Sequence, residues 1–302
     1  MRTLAILAVL GFSAPVWAQK PEPKYEGKPL IYWIEKYQNA DKDQARKDAE
    51  VAVIAFGEDA APAISTLLVM LDDRSGLYRV GVTNMLCAVG PAAKSAVPQL
   101  INLLNEKSPR DPNAVIRILC SIGPGAKDAI PAIQRLVLAE IENKRDLDLG
   151  IHNCDLHKIG PAVVPLLIEL MGLGYEHSAA RELAELGPDA KAALPELAKF
   201  LKHNKPSVQL QAAFAMWMIS KNPDALKLLI DLLESKNLKQ IAAAAEALGR
   251  IGPAAKAALP ALKKRASEEL ERIRKSEQGL PRDSTLESLS RAIRQIEAKR
   301  EE

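Results

Sequence analysis

The sequence predicts an all-α chain, an α-solenoid of about seven stacked helical hairpins. Three observations carry that prediction. One phrase recurs as VGPAAKSAVPQL (89–100), IGPGAKDAIPAI (122–133), LGPDAKAALPEL (186–197) and IGPAAKAALPAL (251–262). Its glycine returns at Gly57, Gly90, Gly123, Gly160, Gly187 and Gly252, with spacings of 33, 33, 37, 27 and 65. Hydrophobic residues make up 48% of the chain but aromatic residues only 4%. That suits packed helices better than a sheet core, which favours β-branched and aromatic side chains. A fixed period in this range marks a repeat architecture.

The residues before each glycine form a helical stripe. Four positions back stand Val53, Leu86, Leu119, Leu156, Leu183 and Leu248. One back stand Phe56, Val89, Ile122, Ile159, Leu186 and Ile251, and eight back Ala49, Val82, Val115, His152, Ala179 and Ala244. Offsets of three, four and seven share one helix face. This is helix A of each unit. The glycine then ends it, and a left-handed C′ conformation is expected there. In the double gap, SKNPDALKLLIDLLES (220–235) supplies the missing unit, with Asn222-Pro223 standing for Gly-Pro. The second proline (Pro98, Pro131, Pro195, Pro260) opens helix B. The residue before a proline is pushed away from the α region. A short helical turn, a break and then helix B are therefore expected.

The ends differ from the repeats. MRTLAILAVLGFSAPVWA has an early cation, an apolar run from Leu4 to Phe12 and small residues at Val16 and Ala18. That predicts a signal peptide over 1–18, cleaved after Ala18, and hence a periplasmic or extracellular protein. Residues 19–39 read as an extended lead-in and an N-terminal capping helix. The repeats occupy 40–275, and 276–302 forms a C-terminal capping helix. No later run is apolar enough to suggest a membrane span. The formal net charge of +3 argues against a nucleic-acid partner.

The phrase GPxAKxAxP followed by LxxLL, after an ALxxIG helix ending, resembles HEAT repeats. The subtype is similar to the HEAT-like repeats of phycobilisome lyases. The signal followed by YEGKPLIYWIE resembles exported bacterial HEAT-repeat proteins of no assigned activity. The resemblance implies a fold rather than a function, since such repeats serve scaffolds and enzymes alike. It also implies that B helices line the binding face.

Few residues suggest chemistry. IHNCDLHKIG (151–160) gathers His152, Cys154, Asp155 and His157, all possible metal-ligand types. His152 and Asp155, three apart, share a helix face, and His177 in the next unit is a conceivable third ligand. Register offers a structural reading instead: His152 takes the slot of Val82 and Val115, and His157 the slot of Cys87 and Cys120. Those two cysteines read as inert buried thiols. Lys94, Lys127, Lys191 and Lys256 form a column of solvated turn lysines. No His-Glu dipeptide, GxSxG, P-loop or CxxC motif occurs. The expectation is an exported, non-enzymatic scaffold without a cofactor, binding a protein or peptide partner. Polar B-helix positions are the candidate contacts: Gln99, Asn102, Gln134, Glu196, Lys199, Asp231 and Lys263. The alternative is a metal-binding protein or metal-dependent enzyme, a HEAT-like lyase or oxidoreductase, centred on the His152/His157 segment.

Overall fold

A computed structural model describes residues 22–73, 76–106, 111–142, 155–275 and 284–298. The predicted signal segment, His152 and Cys154 lie outside them. Two compact units divide the chain, Met1–Ala93 and Lys94–Glu302.

In the first unit, two-residue strands β1 (Lys24–Tyr25) and β2 (Lys28–Pro29) pair antiparallel, Lys24 opposite Pro29. The lead-in is therefore a hairpin, not simply extended. Its turn residues Glu26 and Gly27 both have positive φ, 49° and 74°, which matches strand twist in a tight hairpin. Helix α1 (Leu30–Gln38) follows and buries Trp33, Ile34 and Tyr37 against α2 (Asp43–Phe56). Helices α3 (Ile64–Leu71) and α4 (Arg79–Val89) complete the unit. Asp43–Leu71 is apolar and long enough to cross a membrane by composition alone, at a mean hydropathy of 1.5. It is broken by a turn at Gly57, where φ is 53°, and its parts pack on α1 and α4.

The second unit continues with α5 (Val97–Leu104), α6 (Pro112–Ile122), α7 (Ile130–Glu142) and α8 (Val164–Gly172). Then come α9 (Glu176–Leu186), α10 (Leu194–Phe200), α11 (Pro206–Ser220) and α12 (Pro223–Asp231). It ends with α13 (Leu238–Ile251), α14 (Leu259–Lys275) and α15 (Ser284–Glu297). The fold is an all-α repeat in which helices A and B alternate. The predicted stripe is the core: Val53, Leu86, Leu119, Leu156, Leu183 and Leu248 are each at most 1% exposed. Helix α11 is buried on nearly every side, among α9, α10, α12 and α13. Its sequence PSVQLQAAFAMWMIS carries no charge, so no face requires water.

Two expectations about the repeat phrase need correction. The glycines do have positive φ, but their ψ is not left-handed helical. Gly57, Gly90, Gly123, Gly187 and Gly252 lie at φ 53° to 73° with ψ −126° to −143°. That region is essentially closed to residues with a Cβ. The chain there must leave helix A and enter a 3₁₀ turn at once. In the degenerate unit the left-handed residue is Lys221 (φ 56°, ψ 36°), not Asn222. Asn222 instead caps α12, its Oδ1 accepting from the N–H groups of Asp224 and Ala225. Here one α-helix follows another directly, so the glycine conformation is not used.

The residue before the proline does not break the chain; in two units the departure from helical angles falls inside the 3₁₀ turn instead, at Ala190 (φ −92°, ψ 19°) and Ala255 (φ −90°, ψ 20°), ahead of helix B. Seven-residue 3₁₀ turns such as Gly123–Ala129 run straight into it. Ile130, Leu194 and Leu259 keep helical angles although each precedes a proline. The proline falls in the first helical turn, where its missing N–H leaves no bond unmade. Packing holds the turn. Residues three apart eclipse in a 3₁₀ helix, and the pairs Ala93/Ala96, Ala126/Ala129, Ala190/Ala193 and Ala255/Ala258 are all 0% exposed. The recurring lysines are exposed, and the stem of Lys94 lies over Gly125 of the next turn.

Candidate functional site

The B helices of the second unit are tied to one another in sequence. Arg135 of α7 donates to Asn105 at the end of α5. Gln134 of α7 donates to Glu169 of α8 at 2.5 Å. Lys264 of α14 donates to Glu234, just past α12, at 3.2 Å. Where these links occur, at α5/α7, α7/α8 and α12/α14, consecutive B helices lie side by side in a layer. The predicted contact residues fare unequally on it. Gln99, Asn102 and Asp231 are exposed. Gln134 is spent in the α7–α8 link. Glu196 and Lys199 pair with each other at 2.6 Å, and Lys263 pairs with Glu297 of α15 at 2.7 Å. Of these four, Gln134 ties two B helices together, Glu196 and Lys199 pair within α10, and Lys263 reaches the terminal helix, so all four have partners already.

Of the candidate metal ligands His152, Asp155 and His177, only Asp155 and His177 belong to the described residues. Lys158 donates to Asp155 at 2.6 Å, and that bond holds the Asp155 carboxyl below its ordinary range, with smaller help from His157 and Arg181. His177 is exposed in the first turn of α9. Among the described residues no three His, Cys, Asp or Glu side chains are grouped to hold a metal. Cys87 and Cys120 form no disulfide among the described residues, and Cys120 is 3% exposed.

What the structure adds is Glu182. Its side chain is 1% exposed and accepts from the His157 backbone N–H at 3.0 Å. His157 Nδ1 lies 2.8 Å from the same oxygen, and Arg181 reaches the other at 3.3 Å. A buried carboxylate needs such partners. Leu156–Ile159 form a 3₁₀ turn, and the carboxylate fastens that turn to α9. Register contained the signal: five positions before the glycine four of the other units carry Ala52, Met85, Ile118 and Ala247, and the unit of Gly160 carries Asp155, which is half-buried. A glutamate in an apolar slot must find bonds.

The first unit holds a different feature. A groove of about 200 Å³ runs between α1 and the turn after α2. Ile31, Ile34, Phe56 and Pro62 give it an apolar lining, and Glu22 and Asp59 add carboxylates. Ile34 is 2% exposed but Ile31 is 59% exposed.

Comparison with known proteins places the repeat. The family model described as HEAT repeats matches residues 194–280, so the chain carries HEAT repeats there. No curated protein matches it. Solved structures that the chain matches include the complex of CpcE and CpcF of phycocyanin lyase from Nostoc sp. PCC7120. It is 21% identical, with coverage of 94% of this chain and 99% of that one and a TM-score of 0.37. An engineered protein is 20% identical, with coverage of 89% and 78% and a TM-score of 0.38.

Proposed function

We propose that this HEAT-repeat chain is an exported, non-enzymatic scaffold that binds a protein or peptide along its B-helix layer. The observation that carries the reading is the side-by-side linkage of B helices by Asn105–Arg135, Gln134–Glu169 and Glu234–Lys264. Linked helices present a preorganised surface, which lowers the ordering cost of association. Gln99, Asn102 and Asp231 project from that layer and are the contact residues. Export rests on the Arg2, Leu4–Phe12 and Ala18 pattern.

Site-specific photocrosslinking in a bacterial envelope tests both parts. A photoreactive residue at Asn102 or Asp231 gives one shared adduct, and one at Lys239 on helix α13 does not. The recovered protein begins at Gln19. Adducts equally strong from Lys239, or a recovered chain that keeps Met1, defeat the reading.

A further inference from the structure

We propose that the groove of the first unit is a docking site for a peptide segment that presents one large apolar side chain beside a lysine or arginine. This site is separate from the B-helix layer, and its fate does not depend on that layer's function.

Three observations on the molecule lead there. First, apolar exposure is concentrated. Of nine large apolar side chains exposed among the described residues, seven lie between Ile31 and Val80. Of these seven, Ile31, 59% exposed, lines the groove itself. Second, the groove has the size of an anchor residue. At about 200 Å³ it accommodates one aliphatic or aromatic side chain, lined by Ile31, Ile34, Phe56 and Pro62. Buried anchors of this kind carry most of the energy of a peptide interface. Third, the charge is one-sided. Glu22 and Asp59 are the charged residues of the lining, and neither has a cation partner among the described residues. Two unneutralised carboxylates beside an apolar slot favour a cation next to the anchor and repel an acidic segment.

The test is a random peptide library panned against the immobilised full chain, with the Ile31→Glu chain as counter-target. Ile31 is largely exposed, so its substitution leaves the fold intact, as circular dichroism checks. Enriched peptides are expected to share a large apolar residue adjacent to Lys or Arg. They bind Ile31→Glu and Asp59→Lys chains about tenfold or more weakly. Reversing the peptide's cation to Glu restores binding to Asp59→Lys. Several results overturn the proposal: no enrichment over the counter-target, enriched peptides without a cation, or no rescue by charge reversal. Self-association that Ile31→Glu abolishes assigns the groove to a second copy and overturns it too.

Discussion

Glu182 holds His157 at two points: the backbone N–H donates at 3.0 Å, and ring Nδ1 stands 2.8 Å from the same carboxylate oxygen. Facing a carboxylate, Nδ1 carries the proton. One buried side chain thus fixes the turn before α8 onto α9. Glu182→Leu gives the slot the apolar type of Met85 and Ile118 but strands both donors. It is expected to destabilise by about 1–3 kcal/mol. Glu182→Gln keeps one acceptor and loses less. Urea unfolding of the two variants measures the difference, and equal losses exclude the two-point clamp.

Tyr37 makes the fold sensitive to alkali. Burial, then the charge of Glu50, pushes its hydroxyl up from 10 to about 12. A group with a raised folded pKa lends stability that is whole below its unfolded value. That stability is lost as pH rises from about 10 through about 12. At about 1.4 kcal/mol per unit the loss is bounded near 3 kcal/mol. Tyr37→Phe removes this part of the pH dependence. Denaturation at pH 9 and pH 11.5 shows it, as a smaller drop for Tyr37→Phe than for the natural chain.

Gly81 of α4 makes room for that hydroxyl. A Cβ there runs into Tyr37 Oη and comes within 2.9 Å of Glu50 Oε2. Gly81→Ala is expected to cost about 1–3 kcal/mol through overpacking. In a Tyr37→Phe background the cost is smaller. A double-mutant cycle reads this coupling directly, and strict additivity rules it out.

Gly123 lies at φ 73° and ψ −141°. A left-handed helical position tolerates asparagine, but this one does not. Gly123→Asn is expected to cost as much as Gly123→Ala, about 1–3 kcal/mol, and Gly123→Val more. Thermal melts of the three variants decide it. A distinctly milder Asn variant means a left-handed helical conformation at this position.

Gly249 admits the final helix. A Cβ there meets Ala292 Cα at 3.1 Å and runs into the Gln295 side chain. Gly249→Leu is expected to loosen α15 from α13 while the α9–α11 packing persists. Limited proteolysis then cuts first at the C-terminal end, between α14 and α15. Unchanged protease resistance of α15 excludes the close contact.

Much of this fold was legible because helix periodicity and punctuation are local. Leu119 and Leu183 read as core from spacing alone, and the glycines read as turns. The ψ of those glycines was not legible. It depends on the paired alanines, such as Ala126 and Ala129, packing a 3₁₀ turn against its neighbours. Continuity through Ile130-Pro131 has the same origin. For the site, the sequence named the polar positions of the B helices but could not sort them. Gln99 and Gln134 look alike in sequence, yet only Gln134 meets a partner, Glu169, on the adjacent helix. The groove drew together residues from 22 to 66 that no motif connects.

By itself the sequence determined that this protein is an all-α stack of helical hairpins, because each apolar stripe and each helix-ending glycine acts within a few residues. Only the tertiary structure decided which polar side chains hold the stack together and which face outward. Those roles depend on distances between helices that are far apart in the chain, and a buried charge such as Glu182 is stable only where folding delivers its donors.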